Sequence, residues 1–258
     1  MTFLSHALAQ PIGMIWTLAR TDFKARYQPT AGGFLWAMMK PVAMFVVLTS
    51  VFSYVFGADP AYRFNLIIGL FLWDFFAEAT KTGLVSLHVK GYLLNKIRFP
   101  AWVLVASSVS NALITLVVFG IVIVVFLVMS GRPPSLLAIV LFAWYLGQYV
   151  AIVLGFSFAA SGYFLRYRDL NQVWDLVTQA GFFLAPIVYP LSIIPERYHG
   201  WLYLWPPTPI IQFSRAVLVD NAVPSTKAHV LLAAATAAVL LLGTLLFRRS
   251  APMVAELV

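Results

Sequence analysis

Near the start of the chain, apolar residues recur at helical spacing: Ile12, Ile15, Trp16, Ala19, Phe23 and Tyr27, while Arg20, Asp22, Lys24 and Arg26 face elsewhere. This predicts an amphipathic helix over 12–27 lying in a membrane interface, basic residues toward the headgroups. Pro29, Gly32 and Gly33 break it. Long apolar runs follow, at 34–56, 64–87, 101–129, 136–165, 173–190 and 230–247, each bounded by turn residues or charge. A hydrocarbon core of ~30 Å takes about 20 helical residues, so six transmembrane helices are expected. Residues 191–220 are different: Pro195, Pro206, Pro207 and Pro209 fall among Trp201, Tyr203 and Trp205. The segment is too apolar for a solvated loop and too broken for a span. Broken backbone at membrane depth is tolerated only under cover of protein or a water-filled cavity. Short re-entrant helices at a pore mouth or gate are therefore expected there.

Composition supports the same class. Of 258 residues, 62% are hydrophobic and only 10% charged, and the mean hydropathy is +0.89. A soluble domain carries about 25% charged residues. Barrel strands would show short alternating segments, not long runs. The expected class is all-α and polytopic. The net charge of +8 reads as membrane asymmetry, not as a nucleic-acid surface. Arg20, Lys24, Arg26, Lys40, Lys90, Lys96, Arg98, Arg166, Arg168, Arg248 and Arg249 fall at one end of the expected spans. Only Arg63, Arg132, Arg197, Arg215 and Lys227 fall at the other. The positive-inside rule then places both termini in the cytoplasm. The first ten residues lack the basic start and apolar core of a secretory signal.

Candidate chemistry is sparse. Cysteine is absent, and His6, His88, His199 and His229 are scattered, so no metal site is expected. No G-x-x-x-x-G-K-[ST] phosphate-binding loop occurs, so ATP hydrolysis is not expected of this chain. Asp74, Glu78 and Lys81 lie inside the second expected span, at spacings that place them on one helical face. They read either as a polar lining of a conduit or as an ion-paired structural patch. A proton relay would need a polar chain across the membrane, which the sequence does not offer. Trp16, Trp36, Trp102, Trp201 and Trp205 sit near span ends, as interfacial aromatics do. Phe71, Trp73, Phe75 and Phe76 lie deeper and suit stacking against sugar rings.

Four stretches carry a family resemblance. Arg26 and Tyr27 lead into Gly33, Phe34, Leu35, Trp36, Ala37 and Pro41. Gly69 and Trp73, Asp74, Phe75 and Phe76 precede Asn95, Lys96, Ile97, Arg98, Phe99 and Pro100. Tyr167, Arg168, Asp169 and Leu170 lead to Phe182, Phe183, Leu184, Ala185, Pro186, Ile187, Val188, Tyr189 and Pro190. Trp205 and Pro206 lead through Pro209, Ile210 and Ile211 to Arg215. Together these resemble the permease subunits of type-two ABC exporters of lipid-linked polysaccharides and teichoic acids. Asp74 and Trp205 depart from the family pattern, where a neutral polar residue and Asn are usual.

The resemblance implies a single transmembrane domain over 1–258 in the bacterial inner membrane, working as a homodimer with two copies of a separate P-loop ATPase. ATP and Mg would sit on that partner, and this chain would bind no cofactor. A lipid-linked glycan would be the substrate. The implied substrate channel includes Phe71, Trp73, Asp74, Phe75, Glu78 and Tyr189. ATPase coupling would fall to Arg20, Lys24 and Arg26 on the interface helix and to Gly91, Tyr92, Leu94, Asn95, Lys96 and Arg98 in the cytoplasmic segment 89–99. Trp201, Tyr203, Trp205, Pro206 and Arg215 would form the periplasmic gate. An ion-coupled carrier, an ABC exporter of a small lipid or drug, and a membrane-embedded enzyme of lipid or glycan assembly are the competing readings. A carrier would normally show repeated halves with broken midplane helices.

Overall fold

Long apolar runs punctuated by Gly and Pro become long helices, because a chain in hydrocarbon must satisfy its backbone groups within its own segments. In the computed structural model, residues 11–56, 59, 61–96 and 99–257 are described, with backbone only at 56 and 251–257. In order they form α1 (Pro11–Tyr27), α2 (Leu35–Phe56), α3 (Tyr62–Lys90), α4 (Tyr92–Lys96), α5 (Trp102–Met129), α6 (Leu136–Arg166), α7 (Leu170–Leu184), α8 (His199–Tyr203), α9 (Pro207–Leu218) and α10 (Thr226–Leu257). Two single 3-10 turns, Leu191–Ile193 and Glu196–Tyr198, lie between α7 and α8. No strand occurs among the described residues.

Helix α3 is the axis of the bundle. It packs against α5 and α6, with α2, α9 and α7 on its remaining sides; α1 lies on α5, and α10 and α9 lie on α6. Phe71 of α3 meets Phe119 of α5 with ring centroids 4.6 Å apart. Phe75 and Phe76 close on Tyr149 of α6, Phe76 nearly parallel to it. The Tyr149 hydroxyl donates to the Leu72 carbonyl at 3.2 Å. Gly155 of α6 and Gly243 of α10 bring those two backbones together: a Cβ on Gly243 would fall 1.9 Å from the Gly155 carbonyl oxygen. Helix α5 stops at a left-handed Gly131, φ +75°, and Ser135 caps α6 by accepting from the Ala138 N–H.

Four of these helices are long and apolar enough to cross a membrane: Leu35–Val55, Trp102–Met129, Leu136–Arg166 and Thr226–Ser250. The two other expected spans differ. Helix α3 has 29 residues, about 43 Å of length at 1.5 Å per residue, but Asp74, Glu78 and Lys81 interrupt its apolar surface. The fifth expected span, 173–190, is corrected to a helix of 15 residues, Leu170–Leu184, or about 22 Å. Pro186 and Pro190 explain the early end. Each lacks an N–H and disfavours helical backbone in the residue before it. Arg248 and Arg249 do not stop the last helix, since Arg is a good helix former.

The close α6–α10 crossing generates a prediction. Gly155→Ala or Gly243→Ala would force these helices apart and destabilise the protein by about 1–3 kcal/mol, the usual cost of overpacking. Gly147, whose added Cβ meets nothing within 4 Å, tolerates Ala without loss. Thermal unfolding of the three variants in lipid nanodiscs measures the contrast.

Candidate functional site

The charges on the largely apolar helix α3 find partners on other helices. Asp74 pairs with Lys40 of α2 at 2.8 Å. Glu78 pairs with Arg26 of α1 at 2.5 Å. Lys81 holds both carboxylate oxygens of Asp175 on α7, at 2.5 and 2.7 Å. Lys90, at the last turn, pairs with Asp22 of α1. One helix thereby ties α1, α2 and α7 to the bundle. Asp74, Glu78 and Lys81 share a face as expected, yet each serves a different neighbour. Asp175, Lys40 and Asp22 were not singled out from the sequence. A lone carboxylate two turns into the otherwise uncharged α7 was the available signal for Asp175.

The first two pairs line a cleft of about 150 Å³ with Tyr27, Trp36, Asn111 and Thr115. A second cleft of about 410 Å³, bounded by Asp22, Thr82, Ser86, Lys90 and Ser108, shares Arg26, Asn111 and Ala112 with it. The Asn111 Oδ1 is buried without a partner. At Arg26, burial opposes the charged form, but Glu78 outweighs it and raises the guanidinium pKa. The cleft is therefore charged, and its outer wall is α2. That helix is largely uncovered: Trp36 is 61% and Tyr54 is 92% exposed.

Phe71 is fully buried in the α3–α5–α6 core; Phe75 is buried too, yet borders the cleft. Trp73 is buried against Phe182 and Trp205. Tyr189 is half-buried, and its hydroxyl donates to the Phe183 carbonyl at the end of α7. Of the expected channel residues, Asp74, Phe75 and Glu78 border the cleft.

At the opposite end of the bundle, Arg215 organises the broken stretch. Its side chain is buried, and Nε donates to the Asn65 carbonyl at 2.9 Å. Nη1 and Nη2 donate to the carbonyls of Pro186 and Ile187 at 2.5 and 2.9 Å. These last carbonyls belong to the irregular backbone after α7, so the guanidinium replaces the helix bonds that Pro186 and Pro190 prevent. Gly69 makes room for it: a Cβ there would lie 2.6 Å from Nη2. Trp205 fills the space over Gly181, against Trp73 and Phe76. Tyr203 is half-buried, Pro206 precedes α9, and Trp201 is 73% exposed.

The expected coupling residues fall into two groups. Gly91 is buried, and Leu94 packs with Leu93 against Leu87, Leu104 and Phe247. Tyr92, Asn95 and Lys96 are exposed, with the Lys96 ammonium over the Tyr92 ring at 5.6 Å. On α1, Arg20, Lys24 and Arg26 are all exposed, and Arg26 also reaches Glu78. Arg98 lies outside the described residues.

Removing Lys40 alone leaves Asp74, 85% buried by its 15% exposure, without its counter-ion. Lys40→Met is expected to destabilise by about 2–3 kcal/mol, and the double change Lys40→Met, Asp74→Met by less, because the orphaned carboxylate is gone. A double-mutant cycle of unfolding midpoints in nanodiscs gives the coupling.

The model of the family described as ABC-2 type transporter matches residues 14–219. The chain is 26% identical over 250 residues to the O-antigen export system permease protein RfbA of Myxococcus xanthus, covering 96% of each. It is 30% identical over 208 residues to the permease of the same name from Klebsiella pneumoniae, covering 79% of each. It is 23% identical over 234 residues to the polysialic acid transport protein KpsM of Escherichia coli, covering 88% of this chain and 89% of that one. With a helical bundle, membrane-length apolar helices and a family match along most of its length, the chain belongs to the ABC-2 type transporter membrane family.

Proposed function

We propose that this chain is the membrane-spanning subunit of an ATP-driven exporter that carries a polysaccharide, linked to a lipid, out of the cytoplasm. One observation carries the reading: likeness to a permease named for O-antigen export runs along 96% of both chains. Two copies would form the route, and two copies of a separate P-loop ATPase would drive it. The uncovered surface of α2 supports the second copy, since only 6% of its membrane-length window is buried by the rest of the chain. A C2 partner would close on a face of this kind and line the route with the same residues twice.

The route runs along the face of α3 that carries Asp74 and Glu78, beside Trp36 and Tyr54 of α2. Aromatic surfaces there would stack on sugar rings of varied identity, and the paired charges would offer hydrogen bonds. The end rich in Lys and Arg faces the cytoplasm. There α4 and the outer face of α1 dock on the ATPase: Tyr92, Asn95 and Lys96 are exposed, while Leu93 and Leu94 are held in a buried cluster. Movement of a docked ATPase would thus reach α3 directly, through Gly91. The broken stretch and its Arg215 clamp close the other end. An ion-coupled carrier is the weaker reading, because Asp74, Glu78 and Lys81 are all engaged in pairs.

Deleting the gene is expected to remove the surface polysaccharide, with restoration by the wild-type gene. Gly91→Pro combined with Lys96→Glu would leave the protein inserted but abolish export and retention of the ATPase during purification. Cysteines replacing Arg132 and Lys227 are expected to react with an impermeant reagent from outside, and one replacing Arg249 only after permeabilisation. Normal export by the Gly91→Pro, Lys96→Glu variant would remove the coupling role of α4.

A further inference from the structure

The end of the bundle closed by Arg215 holds a cavity of about 480 Å³ that neither the ion-paired clefts nor the core accounts for. It lies between the start of α3, the broken stretch after α7, and the turn that follows α9. Asp59, Asn65, Tyr203, Gln212, Arg215 and Asp220 supply its chemistry. The volume falls in the range of small-molecule sites and admits about one or two sugar rings. It is too small for a polymer.

The donors and acceptors around it are unbalanced. The Arg215 guanidinium at the floor already donates to three backbone carbonyls. The Asn65 Oδ1 is a buried acceptor with no donor. Burial, and then the nearby charge of Asp59, push the Asp220 carboxyl above its usual range, which Arg215 only partly offsets. The cavity thus presents the carboxylates of Asp59 and Asp220, with an aromatic wall where Tyr203 lies beside Phe213 at 6.3 Å. An anion would meet two carboxylates and a guanidinium whose bonds are largely committed. A metal ion would meet the same guanidinium, and no cluster of three or more His, Asp or Glu occurs among the described residues. A neutral polyol fits: its hydroxyls donate to the acceptors, and its C–H face packs on the ring.

We propose that this cavity is a binding subsite for a neutral sugar unit at the outer end of the transport route, with Asp220 accepting a sugar hydroxyl and Tyr203 providing the packing surface. The proposal rests on the exporter reading for its place on the route. The subsite holds one unit of the chain as it emerges, so that the polymer is handed outward instead of slipping back.

The test uses the full chain with its ATPase in nanodiscs. The probe is the lipid-free neutral oligosaccharide released by mild acid from the cell's own surface polymer, observed by saturation-transfer NMR. An oligosialic acid of equal length is the anionic comparison. The neutral probe is expected to bind, and the acidic one at least about tenfold more weakly. Asp220→Asn and Tyr203→Ala are each expected to weaken the neutral probe by about fivefold or more, while Tyr203→Phe keeps the ring and stays near wild type. Asp220→Asn preserves shape, so the test survives if Tyr203→Ala does not fold. Absence of binding, or equal binding by wild type, Asp220→Asn and Tyr203→Ala, would overturn the subsite. Surface polymer separates the two readings. Loss of polymer on gene deletion, with binding unaffected by these changes, removes the subsite alone; polymer persisting after deletion removes the exporter reading beneath it.

Discussion

Three charges in the middle of α3 set the terms for the rest of the molecule. On this otherwise apolar helix, Asp74, Glu78 and Lys81 are each neutralised by a residue from elsewhere in the chain. The partners come from α2, α1 and α7. These elements are otherwise lightly attached: α2 is mostly uncovered, α7 is short, and α1 lies across α5 with Ile12 and Trp16 exposed. The apolar core formed by α3, α5, α6 and α10 needs none of these pairs. The pairs therefore fasten these peripheral elements to the central bundle. The Arg26–Glu78 and Lys81–Asp175 pairs are partly exposed and contribute about 0–1 kcal/mol each, whereas the Lys40–Asp74 pair neutralises a largely buried carboxylate and matters more.

The two ends of the bundle are built differently, and both designs follow from backbone chemistry. At the basic end, Leu93 and Leu94 seat α4 in a small apolar cluster, leaving its polar residues outward. That arrangement holds α4 against the end of α3. At the other end, prolines free carbonyls that no helix can satisfy, and a single buried Arg215 collects them. A polar clamp on irregular backbone is stiff while intact, because each lost bond strands a buried carbonyl. It also leaves room for a polar cavity beside it, which a continuous helix would have filled.

The sequence made the uninterrupted spans legible, since the runs of α5 and α6 need no partner to be recognised. The amphipathic α1 and the irregular 191–220 stretch were legible for the same reason: their patterns are local. The end of α7 was misplaced because the apolar run continues past Pro186, and hydropathy does not register a missing N–H. The burial of Phe71 in the core was not legible because α3 is apolar on several sides, and periodicity cannot then separate a core face from an open one. The ion pairs were out of reach for another reason. Lys81 and Asp175 are 94 residues apart, and nothing in their local patterns names the partner. The Arg215 bonds end on carbonyls, which carry no sequence signal.

The central claim is that the polymer travels along the charged face of α3 beside α2, and not through the aromatic core. A photo-crosslinking residue placed at Trp36 tests it, because that position is exposed and borders the Lys40–Asp74 cleft. In cells making polymer, irradiation is expected to give adducts carrying surface glycan, dependent on an active ATPase. The same residue at Ile121, 57% exposed on α5, is expected to give lipid adducts only. Glycan adducts at Ile121 with none at Trp36 would contradict the account.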